Sequence, residues 1–150
     1  MSEELVFKFM ETARSRMLDQ LENVSEELAD RIPAGFNNNI RWNLGHILTV
    51  HEMLIFQLNN EKSGIPGDYV ELFKNGSKPA DWQQTPPSLE VLKQHLKDQM
   101  LKIRETFSGR LDQEAAKPFK EMKTIGEIIN FSFYHEGLHT GYIWAMKKTL

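Results

Sequence analysis

Two histidines four residues apart stand in the segment Tyr134-His135-Glu136-Gly137-Leu138-His139-Thr140-Gly141-Tyr142. On a helix this spacing places both side chains on one face with Cβ atoms about 6 Å apart, so both imidazoles can reach one metal ion. Two imidazoles stacked on one turn repel when protonated and are costly to bury unpaired, and metal binding removes that cost. A pair is only half a site, because a third ligand is needed to make the spacing specific. The string His135-Glu136-Gly137-Leu138-His139 also fits H-E-x-x-H, in which the glutamate of a zinc peptidase activates a metal-bound water. Its context argues against a peptidase. Only 11 residues follow His139, which leaves little room for a downstream ligand, and Glu127 lies on the same helix as His135. No strand is expected that could line up an extended peptide. Glu136, or Glu52, is still a candidate catalytic base for metal-assisted hydrolysis of a small substrate.

The elements that must position these residues read as helices. Thr124 with Glu127 forms a capping box, and Ile125, Ile128, Ile129, Leu138, Ile143 and Met146 follow at helical spacing. Upstream, Phe9, Met10, Ala13, Met17, Leu21, Val24 and Leu28 predict one amphipathic helix from Glu3 to about Ala29, with Glu11, Arg14, Glu22 and Glu26 on a solvated face. Pro33 ends it. Asn37, Asn38 and Asn39 are cap residues for a second helix, Ile40 to Asn60, which carries His46 and His51. Ser88 caps a third, ending at Gly109.

Between these helices, residues 61–87 are rich in glycine, proline and polar side chains, with one short helix expected between Asp68 and Asn75. A connection of that length in a compact domain is often functional, and Phe73 and Trp82 suggest that it packs down over something. Residues 110–123 read as a second linker. The expected fold class is all-α: a four-helix bundle with long crossover connections, forming a single domain over residues 1–150.

Composition narrows the chemistry. The net charge of −3 lacks the basic footprint of a nucleic-acid binder. There is no cysteine, which leaves nitrogen and oxygen as metal ligands and removes any cysteine nucleophile. No run approaches the ~18 consecutive apolar residues of a membrane span, and the acidic Met1-Ser2-Glu3-Glu4 is unlike a signal peptide, so a cytoplasmic protein is expected. His51 and His95 read as structural residues. Gly45, Gly137 and Gly141 each cost about 1 kcal/mol relative to alanine inside a helix. Close helix approach, room beside an ion, or simple small-residue packing would each account for them. Trp42, Tyr134 and Tyr142 could wall a pocket or belong to the core.

Placed beside the histidine pair, the segment Phe36-Asn37-Asn38-Asn39-Ile40-Arg41-Trp42-Asn43-Leu44-Gly45-His46-Ile47-Leu48 resembles the DinB-like (DinB/YfiT) superfamily of metalloenzymes. The carrying motifs are W-N-x-G-H-I/L and, about ninety residues later, H-x-x-x-H-x-G. The resemblance implies a four-helix bundle in which His46, His135 and His139 bind a divalent ion, commonly nickel or zinc. Relatives with an assigned activity use a low-molecular-weight thiol, so it implies a thiol-dependent S-transferase acting on a small electrophile. A metal-dependent hydrolase and a non-catalytic metal-binding stress protein are the alternatives. A homodimer is a further expectation, although the sequence shows no diagnostic patch. One departure is Tyr142, where many relatives carry a polar side chain such as glutamine.

Overall fold

A computed structural model describes residues 1–150. The chain is predominantly helical, with one small sheet. In order it forms α1 (Glu3–Gln20), α2 (Glu26–Asp30), α3 (Ile40–His51), α4 (Tyr69–Phe73), α5 (Leu89–Phe107), β1 (Glu114–Phe119), β2 (Met122–Thr124) and α6 (Ile125–Thr149). Helix α1 packs on α5 and α6, and α3 packs on the same two helices.

Local chemistry sets most of the boundaries. The Ser2, Ser25, Asn39, Ser88 and Thr124 side chains each accept from a backbone N–H in the first turn of the helix that follows. At α6 the capping box is complete, with Glu127 accepting in return from the Thr124 backbone N–H.

Four expectations need correction. The first helix does not run to Ala29: it ends at Gln20, and Ser25 caps the separate α2, while Leu21 and Val24 in the intervening turn stay buried. Arg14 is not on a solvated face but fully buried. The second helix is α-helical only to His51, then widens into a π-helical turn over Glu52–Phe56 and tightens into a 3-10 turn over Gln57–Asn59. Residues 110–123 are not merely a linker, because β1 and β2 pair as an antiparallel hairpin. Its base is closed by the Ile125 backbone N–H donating to the Gln113 carbonyl, and a contact distant in sequence anchors it, the Ala116 backbone N–H donating to Asn59 Oδ1.

The core divides into two apolar clusters. One centres on Leu44, Ile47, Leu48, Phe73, Leu92 and Met146, the other on Phe7, Met10, Phe56, Phe107 and Ile129. Between residues 61 and 87 the short helix α4 is present as expected, and Phe73 and Trp82 meet edge to face at 5.8 Å between ring centroids. Gly45 lies so close to Phe73 that a Cβ there would overlap the ring, so this glycine serves contact with α4 rather than with α6. Gly137 and Gly141 face open space. The same helix leaves Tyr134, Leu138, Tyr142 and Trp144 exposed. No helix is long and apolar enough to cross a membrane.

Candidate metal centre

Helices α3 and α6 carry the three histidines to one place. Their ligand atoms all lie within 4.8 Å of one another, with His46 buried and His135 and His139 half-buried. The Nε2 atoms of His135 and His139 are 3.1 Å apart. Two donors each about 2.0–2.1 Å from a single tetrahedral ion would stand about 3.3–3.4 Å apart, so the α6 pair lies within a few tenths of an ångström of the separation such an ion needs.

Neighbouring groups fix which nitrogen faces inward. His46 Nδ1 is 2.7 Å from the Phe73 carbonyl, an acceptor only, so this nitrogen carries the proton and Nε2 keeps its lone pair. His139 Nδ1 is 2.8 Å from Asn43 Oδ1, with the same result. Asn43 is oriented in turn, because its Nδ2 donates to the Asn39 carbonyl and to Asn38 Oδ1. This is the outer support that metal-binding imidazoles ordinarily have. Trp42 stacks on His46 with ring centroids 4.5 Å apart and planes 12° from parallel. The third histidine differs: His135 Nδ1 is buried without a partner.

Electrostatics keep the cluster neutral. Burial lowers the pKa of His46, with the Phe73 carbonyl opposing it. Burial, then the charge of His46, brings His135 down to about 4, and burial with His46 and His135 brings His139 down to about 3. Neutral imidazoles with directed lone pairs are the form that binds zinc, nickel or similar ions, and the residues present therefore fit such a group.

These features agree with the comparisons to known proteins. The model of the DinB superfamily matches residues 10–143. The chain belongs to the DinB superfamily. A solved structure described as the conserved protein of a locus from Enterococcus faecalis resembles this DinB protein in fold, with a TM-score of 0.69 at 16% identity, covering 99% of this chain and 97% of that one. Among curated proteins nothing matches it.

The DinB site opens onto a cavity of about 700 Å³ lined by Asn37, Asn38, Asn43, Asn75, Trp42 and Tyr142 together with the histidines. Trp42 and Tyr142 thus wall a pocket, whereas Tyr134 is largely exposed and packs on Phe131. Sequence reading assigned no role to Asn43 and Asn75. The only signal for Asn43 is its place inside the W-N-x-G-H string, and Asn75 has none, being brought in by the fold of the long connection.

The structure does not bring the two candidate bases to the histidines' open side. Glu136 is buried, and Arg14 donates to both its oxygens, from Nε at 2.6 Å and from an Nη at 2.8 Å. Burial alone would raise its pKa, but the charge and hydrogen bonds of Arg14 more than reverse this, so it is held below the usual carboxylate range as a weak base. Arg14 also donates to the Leu96 carbonyl and to His51 Nδ1, while His51 Nε2 donates to the Ser132 carbonyl. Glu52 accepts from the Ser63 backbone N–H and hydroxyl. His51 is thus a structural residue, as expected, and His95 meets Tyr69 edge to face away from the site.

Proposed function

We propose that this DinB protein, read as one four-helix-bundle domain with crossover connections, is a metal-dependent S-transferase. In this reading it joins a low-molecular-weight thiol to a small electrophile. The observation carrying the proposal is the convergence of His46, His135 and His139 beside an open, asparagine-lined cavity in a chain that has no cysteine of its own. A divalent ion held by the three imidazoles, nickel or zinc by donor type, would favour thiolate over thiol near neutral pH. The protein's own contribution is positional. Phe73 and Asn43 hold two imidazoles in the ligating tautomer, Trp42 covers one face of His46, and the asparagines offer both donors and acceptors to a polar co-substrate. In the transfer itself the thiolate sulfur forms a bond to the electrophilic carbon, and the leaving group departs with the bonding pair.

Metal-assisted hydrolysis has less support, because Glu136 and Glu52 are both committed to other partners. A non-catalytic metal-binding stress protein would suit a closed site with four protein ligands, whereas here three donors adjoin a cavity. The test uses tag-free protein loaded with cobalt(II) or nickel(II). One equivalent of metal is expected in wild type, and binding weaker by at least about 100-fold in His139→Ala. Adding cysteine, glutathione or bacillithiol is expected to produce sulfur-to-metal charge-transfer absorption. A spectrum unmoved by all three thiols overturns the thiol reading.

A further inference from the structure

The histidine cluster has a second side. Behind the polar cavity, a separate space of about 530 Å³ shares His46, His135 and Asn75 with it but is otherwise lined by Val50, Met53, Leu54, Phe119 and Phe131, with Lys74 at the edge. Local sequence explains why apolar groups gather here. Val50 and Leu54 continue the His46 face at successive four-residue steps, and Phe131 lies four residues before His135 on α6. The π-helical turn at Glu52–Phe56 carries Met53 and Leu54, and such turns recur at functional sites.

The wall opposite is Phe119, delivered by the hairpin, whose ring lies 5.4 Å from that of Phe131. Lys120 at the turn places its ammonium over both rings, at 5.5 and 6.0 Å from their centroids. These five apolar side chains are each only partly buried, so the space between them is accessible rather than sealed core.

Resting on the metal-site reading above, we infer that this space is the subsite for the apolar body of the electrophile. It takes an uncharged aryl or branched-alkyl group whose reacting end reaches the His46–His135 edge. The polar cavity on the other side is left to the co-substrate. Two compartments of opposite polarity meeting at the same two imidazoles sort two unlike reactants without contest, and the rim cations Lys74 and Lys120 disfavour a positively charged body.

The test compares two metal-binding probes that share a head group, acetohydroxamate and phenylacetohydroxamate. They are titrated into cobalt(II)-loaded protein and followed by visible absorption. Phenylacetohydroxamate is expected to bind about tenfold more tightly or better, the discrimination a fitted apolar pocket gives, and Phe119→Ser is expected to abolish that preference. Equal affinity of the two probes for wild type overturns the subsite while leaving the metal reading intact. A second readout needs neither metal nor a variant: benzyl alcohol, which has no strong donor, is expected to shift the methyl resonances of Val50, Met53 and Leu54 in metal-free protein. If the protein takes up no cobalt, these shifts decide the question alone. Their presence supports the subsite while the metal reading fails, and their absence overturns both.

Discussion

Residues 135 and 136 are neighbours on one helix, yet their side chains enter polar sites of opposite kinds. Glu136 joins Arg14, His51, the Leu96 carbonyl and the Ser132 carbonyl in a sealed network that gives both carboxylate oxygens and both His51 nitrogens a partner. His135 joins His46 and His139 in a cluster that has cavities on two sides and leaves one buried ring nitrogen without a partner. A satisfied buried network fixes how helices sit. In the second cluster the Nε2 atoms of His135 and His139 meet only each other, at 3.1 Å, beside open space, which is why it, and not the first, reads as a ligand site. The H-E-x-x-H string conceals this, because it joins members of both sites in one motif.

The sharpest way to break the contrast is to cut the sealed network. Arg14→Met strands the Glu136 carboxylate in the interior and is expected to destabilise the fold by about 3–5 kcal/mol, read as a lower midpoint in urea. Removing a member of the open cluster is expected to act on metal instead. His139→Ala should weaken metal binding by at least about 100-fold in a competitive chelator titration, yet leave the metal-free fold with a change of only about 1 kcal/mol. If His139→Ala were the more destabilising of the two in metal-free protein, the division into sealed and open sites would fail.

Smaller effects sharpen the same contrast. Asn43→Ala leaves His139 without its Nδ1 acceptor and is expected to lower metal affinity by about 10–100-fold, less than loss of the ligand itself. Acid acts on both sites in the same direction, since burial lowers the pKa of the histidines of each. Burial pushes His51 down to about 4, so between the ordinary histidine value and pH 4 the unfolded chain binds a proton that folded His51 refuses. Stability of metal-free protein should therefore decline across that window as pH falls, and His51→Gln should remove only His51's share of the decline, because His46, His135 and His139 are lowered as well. The carboxylate works lower: Glu136 has a depressed pKa, so its stabilisation holds at neutral pH and disappears only once acid protonates it in the folded state. The smallest expected change is favourable. A Cβ on Gly137 meets nothing within 4 Å, so Gly137→Ala should raise stability by about 0.5–1 kcal/mol, whereas Gly45→Ala meets Phe73 and should lower it.

Much of the scaffold was legible from short-range chemistry. Thr124 with Glu127, Ser88 and Asn39 announced three helix starts, and each cap is made. Ser25 carried the same signal inside an unbroken apolar pattern, and there periodicity masked the cap. The hairpin was illegible for a different reason. Glu114-Ala115-Ala116-Lys117-Pro118-Phe119 has no alternation to read, and part of its anchorage comes from Asn59, 57 residues earlier. Arg14 followed the pattern of an exposed charge because nothing nearby in sequence reveals that a carboxylate 122 residues away will meet it.

By itself the sequence determined what one helix can hold: that His135 and His139 share a face, that α6 begins at Thr124, and that no thiolate of the chain's own can take part. Those facts follow from the 3.6-residue repeat and from composition, which need no distant partner. The resemblance named His46, and tertiary packing brought it within reach of the α6 pair; packing alone decided that Glu136 is spent on Arg14 and that Asn75 and Phe119 reach the site. The physical reason is that hydrogen bonds and burial between separate helices depend on how those helices cross, and side-chain spacing within any one of them carries no information about that crossing.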